Sequence, residues 1–258
     1  MAISHVGAYN YAQLSTGLRI QSAADDPAGL AISEKMRAQI RGEDVAARNM
    51  RDTQSLINTA EGGLHAATSV VQRMRELAVQ ANSAILTDSD RAIIQNEFSQ
   101  LRDTLNAIGE HTEFNTQRLL DGSLTNHRTT TNASGDNVSL DIDAALASHL
   151  GDVENNQTIA HIDLRTNPQS ALQIIDKALE QLSSSRSSLG AMHNRLDHAV
   201  SVSNTTHLNT TAAESRIRDA DMAEAKMELD RKLLLQQLYL STQRMEHQTA
   251  GFILNLFA

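Results

Sequence analysis

MRDTQSLINTAEGGLHAATSVVQRMRELAVQA, residues 50–81, sets the fold class. Met50, Ile57, Leu64 and Val71 are spaced by seven, and Thr53, Ala60, Ala67, Met74 and Ala81 form a companion row. Small and medium side chains repeating every seven residues make the seam of one long helix lying against another. Gly62-Gly63 interrupts the row, and glycine costs a helix about 1 kcal/mol relative to alanine. The pair marks a weak point or a place of close packing within the helix.

Upstream, the helix reads back to Ala28. Asp26-Pro27 supplies an N-cap followed by proline at the first helical position, and Asn167-Pro168 repeats the device. These are the chain's two prolines, so nothing between them forces a helix to stop. Downstream, Thr87-Asp88-Ser89-Asp90 opens a second helix with acids at its positive end. Ile94, Phe98, Leu101, Leu105 and Ile108 then give the 4-3-4-3 spacing of a buried stripe. This helix is predicted to end between Gly109 and Thr112 and to return antiparallel on the first.

From Pro168, Ile175, Leu182, Leu189 and Leu196 recur every seven residues, with Leu172, Leu179 and Val200 beside them and Arg186 and His193 as polar breaks. Unbroken to Arg218, this helix is roughly 75 Å long at 1.5 Å per residue and must lie along other long helices. Between Phe114 and Arg165 the texture changes. Val138, Leu140 and Ile142 alternate with polar residues, and Ile159, Ile162 and Leu164 follow. The reading there is a small β-hairpin region on loops, expected as a surface insertion. The fold class is mainly α: long antiparallel helices forming a coiled-coil-like rod.

Composition narrows the function. The 258 residues carry a net charge of −9, which argues against a nucleic-acid partner. There is no cysteine, hence no thiolate chemistry and no disulfide. No Gly-x-Ser-x-Gly, phosphate loop or His-Glu-x-x-His occurs, and the chain is not expected to be an enzyme. Asp25-Asp26 reads as helix capping, not as a catalytic carboxylate pair. His193 and His198, at i and i+5, sit about 140° apart on a helix, so no metal or cofactor is expected. Arg37, Arg41, Arg48 and Arg51 read as a solvated face. Five Asn-x-Ser/Thr triplets, at Asn132, Asn137, Asn156, Asn204 and Asn209, carry little weight in so Thr- and Asn-rich a chain.

Apolar runs fall short of the roughly 20 residues a bilayer requires, and Met1–Gln13 lacks the basic and apolar regions of a secretory signal. The C-terminal stretch is unusual. Leu229, Leu233, Leu240, Phe252, Ile253 and Leu256 leave an apolar end that needs a partner surface. These residues are the candidate assembly tail.

Leu14-Ser-Thr-Gly-Leu-Arg-Ile20 and Ala24-Asp-Asp-Pro-Ala-Gly-Leu-Ala-Ile-Ser-Glu-Lys-Met-Arg-Ala-Gln-Ile-Arg-Gly42 resemble the N-terminal signature of bacterial flagellins. Gln72–Ala81 and Thr112–Thr116 extend the resemblance. Leu189–Leu196 and Ala212–Ala223 are similar to the C-terminal signature. The resemblance implies a secreted, self-polymerising filament subunit whose two ends meet in an inner helical domain and whose middle faces outward. It implies further partners: the flagellar export machinery, a chaperone on the C-terminal helix and the flagellin-sensing Toll-like receptor, with no nucleic acid or membrane among them. Arg73, Leu77 and Glu97 match receptor-contact positions of the family, or else stabilise facing helices. Residues 1–29 then correspond to a shortened N-terminal part of the inner domain and 221–258 to its C-terminal helix. Residues 30–125 and 166–220 form the rod, and 126–165 the variable region. The alternatives at this point are a minor or hook–filament junction component, and a secreted homologue that binds without polymerising.

Overall fold

In the computed structural model, residues 11–152, 155 and 157–256 are described, 249–256 as helical backbone alone. Four long helices dominate: α1 (Pro27–Ala81), α2 (Asp88–His111), α3 (Pro168–Arg218) and α4 (Met222–Leu256). Between α2 and α3 lie three two-stranded antiparallel pairs. They are β1 (Glu113–Phe114) with β2 (Gln117–Arg118), β3 (His127–Thr130) with β4 (Asn137–Leu140), and β5 (Gly151–Asp152) with β6 (Gln157–Thr158). The chain divides into two compact units, 42–206 and 1–41 with 207–258.

The helix starts follow the capping chemistry in the sequence. Asp26 Oδ1 accepts the Gly29 amide ahead of α1, and Asn167 Oδ1 accepts the Ser170 amide ahead of α3. Thr87 and Asp90 form a reciprocal capping box on α2. Asp221 accepts the Ala223 and Glu224 amides to start α4.

In unit 42–206, Met50, Ile57, Leu64 and Val71 are buried, as are Thr53, Ala60, Ala67, Met74 and Ala81. The α3 row of Ile175, Leu182, Leu189 and Leu196 is buried with them. From α2 come Ile94, Phe98 and Leu105, with Leu101 and Ile108 half-buried at the border of the stripe. Both pairings are antiparallel. Arg73 meets Glu97 across α1 and α2; Glu61 meets Arg186, and Arg75 meets Asp176, across α1 and α3.

The middle segment departs from the expected surface insertion. Leu119, Leu120, Leu124, Leu140, Ile142, Ala145, Leu150, Ile159 and Leu164 are buried in the same core as the helices. Helix side chains satisfy its irregular backbone. Asn106 accepts the Ala147 amide, Gln95 accepts the Leu164 amide, and Gln181 bonds both N–H and C=O of Gly151 at 2.8 and 2.9 Å. Gly63 explains its own presence: a Cβ there would lie 2.7 Å from Leu120 Cδ1 and from Thr112 Oγ1. Of the two readings offered for the glycine pair, close packing holds at Gly63, while Gly62 faces open space.

In unit 1–41 with 207–258, the segment after Gly17 (φ +71°) pairs with the end of α3. Leu18 bridges to Asp219, the Arg19 amide donates to the Arg218 carbonyl at 2.7 Å, and Ala220 donates to the Gly17 carbonyl at 2.9 Å. Ile20 is buried at this junction. The N- and C-terminal portions of the chain therefore meet within one unit.

Candidate functional site

α4 is the least internally satisfied element. Leu234, Leu235, Leu238, Tyr239, Leu240 and Met245 are all exposed, and Leu233 is 39% exposed. So much apolar surface on one helix marks a contact site. Among the assembly-tail residues read from the sequence, Leu233 and Leu240 are available for this role. Leu229 is not: it is 4% exposed and packs within the chain beside Ala225. The side chains of Phe252, Ile253 and Leu256 lie outside the described residues. Charged side chains share the helix, with Lys226–Asp230 and Glu228–Lys232 pairs at i, i+4.

The second surface lies where α1 faces α2. Arg73 donates to Glu97 Oε1 through Nε at 3.2 Å and through Nη2 at 2.8 Å, and to Glu76 at 2.8 Å. Glu76 first, then Glu97, hold the guanidinium still more firmly in its charged form. Both Arg73 and Glu97 are half-exposed, so the pair contributes little to stability and stays open to a partner. Leu77 corrects the reading of these three as one contact patch. Positions i and i+4 differ by about 40° around a helix. That offset takes Leu77 to 1% exposure, inside the core.

Other singled-out residues resolve into structure. Asp25 accepts the Gln21 and Ser22 amides and the Ser22 hydroxyl. The Ser22 and Gln21 backbone bonds keep its carboxyl below the usual range. Arg37 pairs with Glu34, while Arg41 and Arg48 bond carbonyls one turn back on α1. His193 lies 3.5 Å from Asp197. Asn132 spends its amide on the turn after β3, accepting the Ser134 and Asp136 amides and donating to Asp136. Asn137 is likewise bonded to Thr130 and Gly135. Among the described residues no group of three or more His, Asp or Glu is placed to hold a metal ion, and no helix is long and apolar enough to cross a membrane.

One feature escaped the sequence reading. The α1 row continued seven residues upstream from Met50 reaches Glu43, and the α3 row continued seven downstream from Leu196 reaches Ser203. Both are buried, and the Ser203 hydroxyl donates to Glu43 Oε2 at 2.7 Å. The signal was the heptad itself, carried one repeat past its last apolar member.

Comparison with known proteins gives a consistent result. Residues 8–125 match the bacterial flagellin N-terminal helical region, and residues 172–254 match the bacterial flagellin C-terminal helical region. A flagellin of Halalkalibacterium halodurans is 46% identical over 226 residues, spanning 87% of this chain and 82% of the relative. A flagellar filament core protein of Brachyspira hyodysenteriae is 40% identical over 250 residues, spanning 89% of this chain and 85% of the relative. The crystal structure of Bacillus cereus flagellin aligns with a TM-score of 0.52 at 26% identity, covering 60% of this chain and 88% of that one.

Proposed function

This chain belongs to the bacterial flagellin family, a structural subunit of the extracellular flagellar filament, and we propose that its assembly runs through the exposed apolar surface of α4. The observation that carries this is the exposure of Leu233, Leu234, Leu235, Leu238 and Leu240 around α4, in a subunit whose heptad rows on α1 and α3 are buried. Burying such a surface gains about 25 cal/mol per Å² of apolar area. The chain performs no catalysis in this reading; its work is mechanical, transmitted along packed helices.

The same apolar surface, left open before assembly, is what a chaperone would cover inside the cell, and passage through the flagellar export machinery accounts for an extracellular product. Arg73 with Glu97 is the recognition surface that the family's receptor contact suggests, with Leu77 supporting it from inside. Electron microscopy of the purified protein after precipitant-induced assembly tests the main claim. Filaments are expected from the full chain and none from a chain lacking Leu229–Ala258; filaments from the shortened chain would refute it.

A further inference from the structure

Glu43 and Ser203 occupy positions where the heptad rows of α1 and α3 call for apolar side chains. They are 5% and 3% exposed. Glu43 Oε2 accepts the Ser203 hydroxyl at 2.7 Å, and Oε1 accepts the Ala133 amide at 3.3 Å. Both donors are neutral. Among the described residues, no Lys, Arg or His lies within ion-pair range of this carboxylate. A carboxylate withdrawn from water and met only by neutral donors is uncompensated, and such a group is costly to keep in a helix seam.

Space for the missing charge adjoins it. A cavity of about 460 Å³ opens beside Glu43, walled by Thr131, Asn132, Ser134, His198 and Thr206. The hydroxyls of Thr131, Ser134 and Thr206, which can accept N–H bonds, share this wall with apolar Ala199 and Val202. Gly42 lets the turn after β3 press onto α1 here, since a Cβ would lie 2.7 Å from Ala133 Cβ. The turn that forms the cavity's rim is thereby seated against the buried acid.

We propose that the Glu43 cavity is a socket for an arginine or lysine side chain of a second copy of this chain in the assembled filament. The proposal rests on the filament reading above. Arginine suits the socket best. Its guanidinium is more weakly hydrated than an ammonium, and its five N–H donors can engage the carboxylate and the surrounding hydroxyls together. The chain carries exposed arginines suited to this use, Arg48 and Arg51 among them. Net charge −9 makes neighbouring copies repel at long range, so close cation–carboxylate contacts between copies have something to offset.

Glu43→Gln tests it, because the amide retains an acceptor and adds a donor for the Ser203 hydroxyl while removing the charge. The unassembled variant is expected to melt at or above the wild-type temperature, and its critical concentration for filament formation at low salt to rise at least tenfold. A variant that folds normally and assembles at the wild-type concentration overturns the socket. A second readout stands independently of folding in that variant. The chain lacks cysteine, so Ser134→Cys carrying a photo-crosslinker reports on the cavity alone. Filaments should yield adducts on an Arg- or Lys-containing peptide of a neighbouring copy, and monomers should not. Adducts identical in filament and monomer overturn the proposal. A wild-type chain that never assembles refutes the filament reading itself; wild-type filaments with an empty socket refute only this inference.

Discussion

Arg218 donates to Glu34 at 2.7 Å although 184 positions separate them in the chain. The guanidinium is 12% exposed and the carboxylate 49%. Arg218 is the main cause that keeps the Glu34 carboxyl below its usual range, with Arg37 adding to it. The bond ties the first turns of α1 to the last turn of α3, beside the backbone pairing of Leu18 with Asp219. Arg218→Ala should therefore loosen the segment before α1 without unfolding unit 42–206. Trypsin cleavage after Arg19 is expected to quicken severalfold while the main melting transition stays put. Unchanged cleavage would mean the backbone pairing alone holds the junction.

Leu182 is 1% exposed, midway along the α3 row. Leu182→Asp places an unpaired charge in the seam, at a cost of several kcal/mol against a total stability of about 5–15. Circular dichroism should show the variant largely unfolded at 37 °C. A wild-type melting curve would place Leu182 outside the load of the core.

Gly62 and Gly63 separate two effects of one substitution. A Cβ at Gly62 meets nothing within 4 Å, so Gly62→Ala is expected to raise stability by about 0.5–1 kcal/mol through helix propensity. At Gly63 the same Cβ strikes Leu120 and Thr112, and overpacking of about 1–3 kcal/mol outweighs that gain. Denaturant titrations should move the two midpoints in opposite directions. Two shifts of the same sign would place Leu120 elsewhere.

Much of this was legible and some was not, for physical reasons. Both proline starts, the α2 capping box and the heptad rows announce themselves because each depends on residues close in sequence. The role of residues 119–164 in the core does not. Leu120, Ile142 and Leu150 are buried by loops with no period, held through Asn106, Gln95 and Gln181 of distant helices. Leu77 enters the contact reading through its match to the family's receptor positions and Leu229 through the apolar C-terminal stretch, and neither signal reports which side of its helix a neighbour covers. Neither burial was visible without the neighbours that cover them. Glu43–Ser203 was readable in part: the heptad places both in the seam, but only the fold brings them together.

Acid should weaken unit 42–206 in a defined window. Lys177 first, then Asn155, bring the Asp152 carboxyl down from 3.8 to about 2. A folded-state pKa below the unfolded value stabilises fully above the unfolded value, and the contribution is lost as pH falls through the folded one. The loss attributable to Asp152 therefore falls between about pH 4 and pH 2. Asp90 and Asp121, lowered by bonds from Thr87 and Ser123, add to it in the same direction. Melting temperatures taken from pH 5 to pH 2 should fall, and Asp152→Asn should make the fall shallower. An equally steep fall in the variant would remove Asp152 from the account.

The proposed recognition surface divides into residues that can be touched and one that cannot. Arg73 and Glu97 are half-exposed and bonded to each other, whereas Leu77 is enclosed by the helices. Arginine beside an acid on an open surface is a frequent anchor for a protein partner. The paired change Arg73→Ala, Glu97→Ala removes one charge of each sign and leaves only Glu76, 66% exposed, without its arginine partner. It is expected to weaken binding to the flagellin-sensing receptor at least tenfold with little change in melting temperature. Leu77→Ala should behave in the opposite way, opening a cavity that costs about 2–5 kcal/mol of stability. Its effect on binding should appear only where the fold loosens, and should vanish when binding is measured well below the melting temperature. Measuring binding and melting for both variants decides the matter. Loss of binding by Leu77→Ala in a fully folded protein would show that the receptor opens the α1–α2 seam. Undiminished binding by the charge pair would remove these residues from the contact altogether.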